Sequence, residues 1–183
     1  LDAKGTIEWQ RTVGGSVDDH LSVVYPDPDG NGYIAGGWSN SNISGEKSQN
    51  TKGGIDFWVV KISSDGTQIE WDRTFGGNSG SSHLTDITFF KGDYILGGYS
   101  NAGAGHDKTE ASKGGFDYWV VNIDGTGNKQ WDATIGGDQN DFLSNILTDE
   151  NAGGYLLAGS SASDKSGDRT DGSRGGLDYW IVR

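Results

Sequence analysis

Along this chain the apolar positions fall into short alternating runs separated by clusters of Gly, Asp, Asn and Ser. That pattern predicts strands and turns. Four strands recur in a fixed order. The first is His20–Tyr25, echoed by His83–Phe90 and Phe142–Leu147, and the second is Tyr33–Trp38, echoed by Tyr94–Tyr99 and Tyr155–Gly159. The third is Phe57–Ile62, echoed by Tyr118–Ile123 and Tyr179–Arg183. The fourth is Gln68–Phe75 and Lys129–Ile135, with Thr6–Thr12 at the other end of the chain as the remaining copy. No run sustains the 3.6-residue spacing of an amphipathic helix, so almost no helix is expected.

The four strands differ in ways that set their places. Trp58 and Val60 alternate with Phe57 and Val59, so the third strand is apolar on both sides and should be covered on both. The fourth sets Ile69 and Trp71 against Glu70 and Asp72, the half-wet pattern of an outer strand. The second carries Gly36–Gly37, Gly97–Gly98 and Ala158–Gly159, small residues that let a neighbouring backbone come close.

The repeat has a period of 61 residues. Trp58, Trp119 and Trp180 mark it, and Trp9, Trp71 and Trp131 mark it again, each of the latter opening W-x-x-T-x-G-G with Thr12, Thr74 and Thr134. Sheets covered on both faces, each with a half-exposed outer strand, point to an all-β, β-propeller-like fold of three four-stranded blades of about 61 residues. The alternative is a β-trefoil, which also has twelve strands in three repeats. The chain reads as a single repeat domain, 1–183, with repeats near 13–75, 76–135 and 136–183, the last completed by 1–12. Propellers typically have 4–8 blades, so three predict either part of a larger ring or self-association; two chains would supply six.

Composition narrows the function. The net charge is −12, which repels phosphate backbones, so nucleic acid is not an expected partner. Glycine is abundant at 32 residues, but regularly spaced aromatics argue against disorder. There is no cysteine, hence no disulfide framework or thiol chemistry. No apolar run approaches the ~20 residues of a membrane-spanning helix, so no membrane insertion is expected. A start at Leu1 instead of methionine reads as a processed chain or a segment of a longer one.

The stretches TFGGNSGSSHLTDITFFKGDYILGGYS and GGFDYWVVNIDGTGNKQW resemble the bacterial SBBP-type β-propeller repeat. That family alternates a T-x-x-G-G-S-G-D-D-like turn, a G-x-x-Y-[VI]-x-G-x-[TS] strand, a D-x-[FW]-[VI]-x-[KR]-[LI] strand and a D-x-x-G-x-x-x-[WY] hairpin. The likeness covers the whole chain and departs from the family in a long insert between second and third strands. It implies a propeller in a secreted or cell-surface protein, without a shared enzymatic activity.

Candidate chemistry is sparse. His20 and His83 share a repeat position with Phe142, which favours packing over metal ligation, and no zinc-type histidine spacing occurs. No metal site and no cofactor is expected. Asp27-Pro-Asp29-Gly-Asn31-Gly32 has the opening of a calcium loop but reaches Trp38 where the twelfth-position Glu belongs, so a tight turn and a calcium site both remain open. Asp56, Asp117 and Asp178 precede the third strand in every copy, and Thr12, Thr74 and Thr134 recur likewise; both read as structural groups making local hydrogen bonds. So do the anchors Trp9, Trp58, Trp71, Trp119, Trp131 and Trp180. No nucleophile elbow or phosphate cradle is present.

Three loops of similar length, 39–54, 100–115 and 161–176, each place two cations at matching offsets: Lys47 and Lys52, Lys108 and Lys113, Arg169 and Arg174. Loops on a rigid scaffold commonly carry binding function. These six residues, with Trp38, which breaks the repeat against Tyr99 and Ser160, are the candidate ligand contacts. Glu46, Glu110, Asp168 and Asp171 lie beside the cations and offer a competing role for them in local ion pairs. The expectation is a non-enzymatic extracellular or cell-surface propeller segment for adhesion, scaffolding or ligand binding, with a glycan or a protein as partner. Two alternatives stand beside it: a carbohydrate-binding lectin or divergent glycan-active enzyme, and a spacer in a surface filament.

Overall fold

A computed structural model describes all 183 residues. It contains eleven strands and no helix. They are β1 (Asp19–Pro26), β2 (Gly32–Ser39), β3 (Asp56–Ser63), β4 (Ile69–Phe75), β5 (Ser82–Phe90), β6 (Asp93–Ser100), β7 (Asp117–Ile123), β8 (Lys129–Ile135), β9 (Asp141–Asp149), β10 (Gly154–Ser161) and β11 (Asp178–Val182). The chain builds three antiparallel meanders: β1-β2-β3-β4, then β5-β6-β7-β8, then the three-stranded β9-β10-β11.

The same register repeats in each sheet. Gly37 lies opposite Trp58, Gly98 opposite Trp119, and Gly159 opposite Trp180. The first strand of each sheet bulges just where it passes these glycines. A Cβ on Gly37, Gly98 or Gly159 would sit 1.8–2.1 Å from the carbonyl oxygen of His20, His83 or Phe142. Glycine is therefore required by close approach of backbone.

The sheets stack face to face in chain order. Leu84 and Ile87 of β5 press on Gly36 of β2, and Leu143 and Ile146 of β9 press on Gly97 of β6. Between the first and second sheets lies a core containing Phe57, Val59, Leu84, Leu96, Trp119 and Val121. Between the second and third lies another, with Tyr118, Val120, Leu143, Ile146 and Leu157. Each junction is locked by a ring pair: Phe57 against Trp119 at 4.7 Å, and Tyr118 against Trp180 at 4.9 Å. Strand β7 is buried along its whole length, as a third strand apolar on both sides should be. The stack is open, because the first and third sheets share no packed strands.

One expected strand does not form. Thr6–Thr12 has no ladder partner; it was expected to complete the third sheet beside β11, which instead keeps three strands. The segment lies on the outer face of the first sheet. Trp9 rests on Tyr33 at 6.1 Å, and Arg11 donates to the carbonyl oxygens of Gly66 (3.0 Å) and Thr67 (2.6 Å). The physical reason is reach: β11 stands on the far side of the stack, while Trp9 finds apolar cover on the sheet that follows it in sequence.

Candidate functional site

The long loops connect second to third strands at one end of the stack. Of their six in-register cations, three are buried. Lys47 bonds the Thr74 hydroxyl and lies 5.2 Å from the Trp58 ring, and Lys108 bonds the Thr134 hydroxyl 5.5 Å from Trp119. Burial pushes both ammonium groups down to about 8, opposed by neighbouring carboxylates, chiefly Asp72 for Lys47 and Asp117 for Lys108. Arg169 bonds the Ser161 hydroxyl and the Asp171 carbonyl. These three side chains face the interior, where no ligand in solution meets them.

The second cation of each loop serves a different role. Lys52 donates to the Thr74 carbonyl at 2.7 Å and pairs with Asp107 in the next loop. Lys113 pairs with Asp168 in the loop after that. Asp107 and Asp168 in turn accept the amides of Gly76 (3.1 Å) and Gly136 (3.0 Å). A ladder of ion pairs thus runs from repeat to repeat along the loop face. Arg174, at the equivalent place in the third loop, is exposed and its guanidinium has no acid to meet.

Of the recurring threonines, Thr74 and Thr134 receive buried lysines 27 and 26 residues away. Thr12, in the unpaired segment, is exposed. Asp56, Asp117 and Asp178 each accept the amide four residues before them, at Lys52, Lys113 and Arg174, closing the loop end. Trp58 and Trp119 donate their indole N–H to Asp72 and Asp132, both at 3.0 Å. In the Asp27 turn, the carboxylate receives the Tyr94 hydroxyl at 2.8 Å and the Lys61 ammonium at 2.9 Å. The cation there is the protein's own, and nowhere do three or more His, Asp or Glu side chains gather as a metal-binding group.

Trp38 joins the shared position of His20, His83 and Phe142 in one larger feature. Six rings make a continuous strip across all three sheets at the loop end. His20 stacks on Trp38 (5.2 Å), Trp38 meets His83 edge-on (5.5 Å), and His83 stacks on Tyr99 (5.1 Å). Tyr99 and Phe116 then both contact Phe142, at 5.1 and 5.7 Å. His20 is exposed and the other five are half-buried, so each ring keeps some contact with solvent. Burial, with the nearby His20, holds the His83 imidazole below its ordinary range, which favours the uncharged ring. The strip arises because the second residue of each sheet's first strand is paired with the next-to-last residue of its neighbour: His20↔Trp38, His83↔Tyr99, Phe142↔Ser160. That pairing was the available signal, since aromatics at both register positions in two of three copies place the rings side by side.

No protein-family model matches the chain, and a comparison with curated proteins finds no match. The likeness to SBBP-type repeats therefore rests on the quoted residues alone.

Proposed function

We propose that this chain is a non-enzymatic, β-propeller-type module of a secreted or cell-surface protein, and that it holds a carbohydrate on the aromatic strip at its loop end. The observation that carries the reading is the strip itself: His20, Trp38, His83, Tyr99, Phe116 and Phe142 in unbroken contact over three sheets, none of them fully buried. Flat aromatic rings suit the apolar faces of sugar rings, which leaves the sugar hydroxyls for polar groups around them. The strip also breaks the threefold repeat, as a single ligand site should, because Ser160 stands where Trp38 and Tyr99 stand. Apart from the exposed Arg174, the recurring loop cations are engaged in internal bonds, which favours a scaffold over a catalyst. A propeller accommodates the face-to-face stack, the half-wet outer strands and the passage from outer to inner strand between sheets.

The test is a glycan array followed by titration of tryptophan fluorescence with the oligosaccharides that score. Trp38→Ala and Tyr99→Ala should each weaken binding at least tenfold, while Lys52→Gln with Lys113→Gln should leave it unchanged. A silent array, or binding indifferent to both aromatic substitutions in variants that keep the wild-type unfolding transition, overturns the proposal.

A further inference from the structure

The aromatic strip contains one arrangement twice. In the first sheet His20 stacks on Trp38, with ring centroids 5.2 Å apart and planes within 4° of parallel. In the second His83 stacks on Tyr99, at 5.1 Å and 23°. Both pairs are cross-strand neighbours, so the register fixes them. Two residues past each second-strand ring comes an asparagine, Asn40 after Trp38 and Asn101 after Tyr99. Ser39 and Ser100, between ring and asparagine, are fully buried, whereas the residues on either side of them are not. Ring and asparagine therefore share the outward side of the chain, as alternation along an extended segment requires.

Each asparagine is tied down by the same two bonds. Its backbone N–H donates to the carbonyl oxygen of the residue across the ladder, Asn40 to Asp18 at 3.2 Å and Asn101 to Ser81 at 3.0 Å. Its side-chain oxygen accepts the backbone N–H of that same residue, at 3.0 and 2.7 Å. The side-chain NH2 is left without an acceptor in either copy, a held donor beside a ring. The third sheet shows that the fold does not need this side chain. There Ala162 makes the same main-chain bond, to Asn140 at 2.8 Å, and Ser160 takes the place of the ring. Ring and amide are lost together, as parts of one unit would be.

The two units stand one repeat apart. His83 joins them, with Trp38 at 5.5 Å and Tyr99 at 5.1 Å. Equivalent points on sheets packed face to face are about 10 Å apart. An extended β-1,4-linked sugar chain turns each residue over relative to the last, so the same face and the same substituents recur at every second residue, over that same distance. A coiled α-1,4-linked chain has no such period.

We infer that the ligand of the strip is an extended β-1,4-linked glycan, read at alternate residues by two like subsites: His20, Trp38 and Asn40, then His83, Tyr99 and Asn101. Each ring pair supports the apolar face of one sugar, and each asparagine NH2 donates to an oxygen of that sugar. The inference rests on the carbohydrate reading and adds to it the linkage, the length and the asparagines. A chain of three residues is the shortest that reaches both subsites. Once a chain spans the pair, the second contact is made within one complex, so affinity rises steeply with length up to that point.

The probes are cello- and chito-oligosaccharides of two to six residues, with maltohexaose as the coiled counterpart, titrated by calorimetry. In at least one of the two β-1,4 series, affinity should climb about tenfold or more between two residues and four, and then level off. Maltohexaose should bind at least about tenfold more weakly than the matching hexamer. Asn40→Ala and Asn101→Ala, which copy the third sheet's Ala162, should each remove most of the gain with length. Each should lower disaccharide affinity by no more than about half, because the other subsite remains. A disaccharide that binds as tightly as the hexamer, maltohexaose that binds as tightly, or asparagine variants that keep the full gain would each overturn the inference while the carbohydrate reading stands, since a glycan is still bound. If no probe binds, the inference falls, and the glycan array decides the carbohydrate reading separately: a hit on another linkage keeps it and silence removes it.

Discussion

Alanine at Gly98 is the perturbation that the stacking geometry feels most sharply. The added Cβ would stand 2.1 Å from the His83 carbonyl oxygen and 2.7 Å from Cζ of Phe57, which reaches over from the first sheet. Carbon–oxygen contacts across a sheet are about 3.3–3.6 Å, so β5 or β6 must move by more than 1 Å. The atom in the way is main chain, held by the ladder, and cannot turn aside. Overpacking of a core costs about 1–3 kcal/mol, and the rigid neighbour puts Gly98→Ala at the top of that range, ~3 kcal/mol. The same substitution at Gly97 meets Leu143 Cδ2 at 2.8 Å and Ile146 Cγ2 at 3.1 Å, side-chain ends that can shift, and should cost ~1 kcal/mol. At Gly154 nothing lies within 4 Å and φ is ordinary, so alanine should stabilise by about 0.4–1 kcal/mol through the unfolded chain. Urea unfolding gives all three, and by melting temperature Gly98→Ala should fall about 6–12 °C. A Gly98→Ala protein within 0.5 kcal/mol of wild type, or one more stable than Gly97→Ala, would show that the bulged strand does not cross there.

Other outcomes follow from the same geometry. Trp119→Ala should cost about 3–5 kcal/mol in urea unfolding because the ring is enclosed by two sheets, and Trp180→Ala should cost at least ~1 kcal/mol less because its sheet is open on the far side. Burial raises the Asp117 carboxyl to about 6, with Asp141 adding to the shift, so the native state keeps a proton that the unfolded chain gives up near 4. Stability from this group is therefore greatest below pH 4 and falls by about 3 kcal/mol as pH rises from 4 to 6; the slope in that window should flatten in Asp117→Asn. Tyr94→Phe removes the hydroxyl that donates to the Asp27 carboxylate and should cost ~2 kcal/mol, measured by thermal unfolding.

The sequence was most legible where local pattern and tertiary demand coincide. Alternation located eleven of the twelve expected strands, because each third strand is apolar on both sides and each second strand carries its small pair under a tryptophan. The twelfth, Thr6–Thr12, has the right composition for a strand but no edge within reach, and pairing is a property of what lies alongside. The loop cations show the opposite limit. Equal offsets matched Lys47, Lys108 and Arg169, yet spacing could not say that all three end on buried hydroxyls and that the two lysines lie over tryptophan rings. Charge suggested a surface, and the long aliphatic stem allowed burial instead. The members of the aromatic strip were visible as two separate repeat positions, His20/His83/Phe142 and Trp38/Tyr99, but its continuity depends on contacts between sheets, such as Trp38 with His83, that no single repeat contains.

The account depends on three sheets stacked in chain order, with the first and third held apart. A cysteine-free chain allows this to be read directly by attaching spin labels to Leu21→Cys and Tyr179→Cys and measuring their separation by pulsed electron resonance, diluted in unlabelled chain so that only distances within one molecule count. Two inter-sheet spacings at ~10 Å each predict a separation of at least about 20 Å. A separation under about 10 Å, one sheet-to-sheet contact, would mean that the first and third sheets meet within a single chain and would contradict the open stack.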